Sequence, residues 1–174
     1  LTNLSKFKEA ESATRKAIEL NPNHYQAYSN LGSILNQFYK FKEAELAMVK
    51  AIELKPDYVM AHINLGEILI TQGKLNEGKQ SLLKAIELNP KYGKSYYHLS
   101  KFFSRKENHK EAFSSITSAY KYDPNNHVIQ GEYNRIKNIL DSEEKKKVND
   151  LDKKNILDSE EKKKVNDLDE TNKW

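Results

Sequence analysis

Residues 25–58, YQAYSNLGSILNQFYKFKEAELAMVKAIELKPDY, decide the fold. Within them Tyr28, Leu31, Gly32 and Leu35 are followed by Ala44, Met48, Ala51 and Pro56. A shift of thirty-four residues gives His62, Leu65, Gly66, Leu69, Gly78, Leu82, Ala85 and Pro90. The next shift gives Tyr96, Leu99, Ser100, Phe103, Ala112, Ile116, Ala119 and Pro124. Moving back by the same step recovers half a unit: Ala10, Thr14, Ala17 and Pro22. Within each unit the apolar residues recur at helical spacing on either side of a polar break, so each unit is a helix pair. A framework in register over more than a hundred residues is a helical repeat array.

Each second helix runs into Asn–Pro, Lys–Pro or Asp–Pro. Proline pushes the preceding residue out of helical geometry and offers no amide to the ladder, so Pro22, Pro56, Pro90 and Pro124 stop the helices. Gly73 stands at the bend inside its unit, where a left-handed residue is convenient; Tyr39 and Glu107 hold the equivalent positions and must tolerate strain there. Glycine inside a helix costs about 1 kcal/mol relative to alanine. Gly32 is therefore expected to serve a close helix crossing at Ala44.

These residues resemble the tetratricopeptide repeat, in which an aromatic–x–x–Leu–Gly helix precedes an Ala-rich helix closed by proline. The resemblance covers the chain from Leu1 to Pro124. It departs from the family at His62, where Trp or Tyr is usual, at Ser100 for Gly, at Gly78 for Ala, and at Thr14 for a bulky apolar residue. The resemblance implies an all-α fold, a right-handed α–α superhelix, here followed by a charged C-terminal tail. The expected organisation is a partial repeat of one second helix (1–24), full units at 25–58, 59–92 and 93–126, a capping helix at 127–140, and the tail at 141–174. Alone, the helix of the partial repeat exposes part of its apolar stripe, which predicts fraying or self-association through that N-terminal face. The chain starts inside a repeat, so it reads as a piece of a longer protein.

The tail follows no packing rule. NILDSEEKKKVNDLD at 138–152 recurs letter for letter at 155–169, which reads as a tandem duplication. A seventeen-residue step falls about 100° short of closing on an ideal helix, so its few apolar residues form no stripe and no heptad seam. A disordered segment or a solvated helix is expected.

Composition narrows the function. The chain has 174 residues, no cysteine and a net charge of +4. Without cysteine there are no disulfides or thiolate sites, which points to a reducing, cytoplasmic setting. No apolar run approaches the ~20 residues that cross a bilayer. The positive surplus is too small for a nucleic-acid footprint. None of the five histidines stands at metal-binding helical spacing from another. There is no phosphate loop and no nucleophile elbow, so the chain has neither an expected cofactor nor an expected active site.

In arrays of this family the first helices line a concave groove where partners bind. By that resemblance the groove residues are Gln26, Asn30 and Ser33 in the first full unit, with Ser29 and Gln37 beside them. Met60, Ile63, Asn64 and Glu67 follow in the second with Thr71, and Lys94, Tyr97, His98, Lys101 and Arg105 in the third. The groove then changes from neutral amides, through an apolar step, to a basic and aromatic end suited to a peptide with an apolar anchor and an acidic flank. Asn30 and Asn64 resemble the asparagine ladder of O-linked N-acetylglucosamine transferases, which His98 interrupts. The five-residue carboxylate clamp for chaperone tails is excluded, since only Asn64 and Lys94 match it. The expected function is a non-catalytic protein-interaction scaffold; the alternative is the targeting or substrate-recruiting part of a larger enzyme, for example a glycosyl- or other transferase, whose catalytic domain lies outside this piece.

Overall fold

The computed structural model describes the backbone of residues 2–171 and the side chains of residues 5–160. The described residues form eight α-helices and no strand: α1 (Thr2–Leu20), α2 (Tyr25–Gln37), α3 (Phe41–Leu54), α4 (Val59–Thr71), α5 (Leu75–Leu88), α6 (Gly93–Arg105), α7 (His109–Tyr122) and α8 (His127–Thr171). The chain divides into two compact units, one up to Tyr133 and the other from Asn134.

In the first unit, α2 packs on α3, α4 on α5 and α6 on α7 as antiparallel pairs. Successive pairs stack, and α2 touches α4 as α4 touches α6, so the first helices form one continuous layer. Two apolar clusters run through the stack. One gathers Leu31, Leu35, Ala44, Met48, Ala51 and Ile68; the other gathers Ile63, Ile70, Leu82, Ala85, Leu99 and Phe102. Each pair is thin, and its apolar faces are covered by the next pair along, which is how repeat arrays share stability between neighbours.

The glycines set how closely a pair can close. A Cβ on Gly32 would stand 2.9 Å from Met48 Cε and 3.0 Å from the Ala44 carbonyl. In the next unit both partners are glycine: a Cβ on Gly78 would stand 2.8 Å from the Gly66 carbonyl. The third unit has Ser100 at this place, fully buried, and its hydroxyl turns back onto its own helix to donate to the Tyr97 carbonyl at 2.8 Å.

The bends inside the units share one geometry. Tyr39, Gly73 and Glu107 have φ of 58°, 82° and 56°. The following amides of Lys40, Lys74 and Asn108 reach back to the carbonyls of Leu35, Leu69 and Phe103 at 3.0, 2.9 and 2.9 Å. This is the glycine-favouring helix stop, and two of the three positions adopt it without glycine. The turns between units share another device. His62 Nε2 donates to the Pro56 carbonyl at 2.8 Å, Tyr96 Oη to that of Pro90 at 3.0 Å, and Gln130 Nε2 to that of Pro124 at 2.7 Å. At the start of α8 the Asn126 side chain accepts from the amides of Val128 and Ile129, satisfying two of the free donors of a helix start. Tyr133 then stacks on Tyr120.

In the second unit the helix continues to Thr171, carrying both copies of the duplicated string. The duplicates differ in exposure: Ile139 and Leu140 are half-buried, whereas Ile156 and Leu157 are 57% and 60% exposed. Among the described residues no helix is long and apolar enough to cross a membrane.

Candidate peptide-binding groove

The twelve candidate residues all lie on the first-helix layer, on α2, α4 and α6. They are not equally available. Gln26, Asn30, Lys94 and Arg105 are exposed, and Ser33, Met60, Asn64, Glu67, Tyr97 and Lys101 are half-buried. Ile63 has no exposed surface at all, because it lies inside the second apolar cluster with Leu99 and Phe102. It offers a ligand nothing to touch, and the expected apolar step is left to Met60. His98 is also buried, as is the neighbouring candidate Ser29. Ser29, Ile63 and Tyr97 hold the same place in successive units, so the layer closes over the first two and leaves the third half-open.

Polar contacts tie the layer together across units. Asn64 Nδ2 donates to Ser33 Oγ at 3.2 Å, and Ser33 Oγ donates to the Ser29 carbonyl at 3.0 Å. One unit further on, the interrupting histidine takes over: His98 Nδ1 lies 3.7 Å from Glu67 Oε2. Burial pushes the His98 imidazole down to about 4; Glu67 opposes this, and Lys94 and Lys101 add to it. The ring is therefore neutral near neutral pH. A shorter bridge joins α3 to the bend between α4 and α5, with Lys74 Nζ 2.8 Å from Glu45 and Gln72 Nε2 2.8 Å from the same carboxylate. The hydrogen bond from Lys74 holds the Glu45 carboxyl below its usual range.

The basic and aromatic end forms two hollows. Glu67, His98, Lys101 and Arg105 surround one of about 10 Å³, room for about one water. Lys94 and Tyr97 help to line the other, a cavity of about 460 Å³. Its remaining wall includes Lys91, Tyr92, Tyr122, Val128 and Ile129. Tyr97 meets Lys101, whose Nζ lies 5.6 Å from the ring centroid, and Tyr92 Oη donates to the Met60 sulfur at 3.2 Å. The cavity opens at the N-terminal ends of α6 and α8, which carry partial positive charge. Asp123 is on the same wall, its carboxylate bonded to Asn126 Nδ2 at 2.8 Å. Sequence reasoning missed this cavity, although Gln130 repeats the register of Tyr96 and marks the start of α8 as one more first helix.

Among the described residues no group of three or more His, Asp or Glu side chains is placed to hold a metal ion. The side chains along the layer offer amides, aromatic faces and cations.

Comparison with known proteins agrees with this architecture. Models of the tetratricopeptide repeat match residues 1–24, 61–92 and 93–126, and a second such model matches 13–45. No curated protein sequence matches the chain. Among solved structures, MamA from Desulfovibrio magneticus RS-1 (its residue 41 to the end) is 27% identical, with a TM-score of 0.61, over 71% of this chain and 70% of that one. A thermophilic TPR protein of Thermus thermophilus, TTC0263, superposes with a TM-score of 0.72 at 16% identity, over 78% of this chain and 75% of that one, and shows the shared fold alone. The repeat models together cover well over half of the chain, and the chain belongs to the tetratricopeptide repeat family.

Proposed function

We propose that the chain is a non-catalytic interaction scaffold that binds a peptide segment of a protein partner along the first-helix layer. Gln26, Asn30, Ser33 and Asn64 face the peptide backbone with amides and a hydroxyl. Met60 contacts an apolar residue, and Lys94, Tyr97, Lys101 and Arg105 hold an acidic flank, with Glu67 and the neutral His98 as the floor between. The observation that carries this reading is the cavity of about 460 Å³ beside Lys94 and Tyr97. It combines apolar walls with lysines, the pairing an apolar anchor next to acids requires.

The test begins by selecting peptides from a random display library on the full chain. Selected peptides should pair a large apolar residue with adjacent Asp or Glu. A Lys94→Glu, Lys101→Glu double variant, checked for folding by circular dichroism, should bind them at least tenfold more weakly. Unchanged affinity would exclude the basic end of the groove.

A further inference from the structure

Two features remain to be matched: the cavity at the basic end, whose occupant has no identity, and the exposed aliphatic side chains of the second unit. Val148, Leu151, Ile156 and Leu157 of the second unit are 56%, 60%, 57% and 60% exposed, and Ile156 and Leu157 are the adjacent pair among them. A solvated helix gains nothing from leaving two large aliphatic residues 57% and 60% exposed. Their duplicates Ile139 and Leu140 are half-buried, so only the second copy leaves its pair available. Asp158 follows directly, and Glu160 lies one turn beyond Ile156 on the same helical face. The segment 156–160 thus presents an aliphatic pair next to acids.

The cavity is complementary in both respects. Tyr92, Tyr97, Val128 and Ile129 supply apolar wall, while Lys91 and Lys94, against the one acid Asp123 whose carboxylate Asn126 engages, supply charge of the opposite sign to Asp158 and Glu160. We propose that the occupant of this cavity is segment 156–160 of a second copy of the chain, so that copies associate head to tail. The proposal rests on the peptide-groove reading and names its partner. Ile156 and Leu157 enter against the tyrosines and Val128, and Asp158 and Glu160 pair with Lys91 and Lys94 at the rim. Such a contact is heterologous: in a pair of copies one cavity and one tail remain free, and association grows with concentration.

Sedimentation velocity of the full chain over a concentration series tests this, together with anisotropy of a fluorescent peptide of residues 153–165. The wild type should sediment progressively faster with concentration, and the peptide should bind and reverse that trend. Ile156→Ser, Leu157→Ser should abolish association but leave the cavity able to bind the peptide. Lys91→Glu, Lys94→Glu should lose peptide and self-association by at least tenfold. Asp158→Lys, Glu160→Lys should fail alone and recover when mixed with the Lys91→Glu, Lys94→Glu chain. A chain that stays monomeric and does not bind the peptide overturns the proposal. If library-selected peptides still bind it through Lys94, the groove reading survives; if they do not, both fall. Association that ignores these variants but is lost on Phe7→Ser would belong to the face of α1, and would overturn the proposal as well.

Discussion

His98→Asn should remove a specific sensitivity to acid. The imidazole is buried, with Glu67 Oε2 3.7 Å from Nδ1, and the nearby cations Lys94 and Lys101 disfavour a further positive charge. Burial is the largest cause of a folded-state value of about 4, against 6.5 for the free side chain. Above pH 6.5 the ring is neutral folded or unfolded, and it makes no pH-linked difference. Between 6.5 and 4 the unfolded chain takes up a proton that the folded chain refuses, so stability falls as pH falls, and the loss is complete below about 4. The full difference corresponds to about 3 kcal/mol; at pH 5 about 2 kcal/mol of it is already lost. Urea unfolding at pH 8 and pH 5 would measure this in wild type and in His98→Asn. Asparagine already holds the equivalent places at Asn30 and Asn64, so the site has precedent for it. Carboxylate titration is common to both proteins and cancels in the comparison. Wild type should lose roughly 2 kcal/mol more than the variant between the two pH values. Equal losses would refute a buried neutral histidine at this position. Glu67→Gln removes the group that favours the proton, and should make wild-type acid sensitivity steeper.

Three further substitutions probe the backbone of the array. Gly32→Val forces a side chain onto Met48 and the Ala44 carbonyl, and should cost about 1–3 kcal/mol in chemical denaturation; an unchanged midpoint would contradict the close crossing. Gly73→Ala meets no atom within 4 Å but must hold φ near 82°, so a loss of about 1 kcal/mol in melting experiments would be purely conformational. Ser95→Ala should stabilise by about 1 kcal/mol in the same assay, because among the described residues Ser95 Oγ is a buried hydroxyl without a partner and Ala27 and Ala61 fill the equivalent places.

The fold was legible because its determinants are local and repeated. Four prolines stop the second helices, and small residues at a fixed spacing mark where helices cross, so a single period carries the architecture. The candidate site was legible only in part. Helix phase places Ile63 and His98 on the same stripe as Asn64 and Tyr97, yet phase says nothing about how far the next first helix leans over that stripe. Because α2 meets α4 and α4 meets α6, Ile63 is swallowed between neighbours and His98 nearly so, while Tyr97 on α6 stays partly exposed. The cavity depends on the start of α8, where the period continues through Gln130 with no recognisable aromatic to announce it. The Glu45–Lys74–Gln72 bridge depends on residues 27 to 29 positions apart, a separation that pattern reading along one helix does not sample.

The departures at the framework aromatic position gain sense from the turns. Tyr96, His62 and Gln130 differ in size, aromaticity and charge capacity, yet each donates a hydrogen bond to the proline carbonyl six residues earlier. That carbonyl lies just beyond the end of a second helix, where the backbone has left the helical ladder and its own partner is lost. At these three junctions the position supplies a donor with the reach to satisfy it, and a ring is one way to supply that donor while also filling space. Histidine satisfies it only with a proton on Nε2, which fixes its tautomer, and glutamine satisfies it with no ring at all. The turn geometry that orients one unit on the next is thus held by the same bond at three successive junctions. The first-helix layer that carries Asn30, Asn64 and His98 at one repeated step is tied at its junctions by this bond as well as by the apolar clusters.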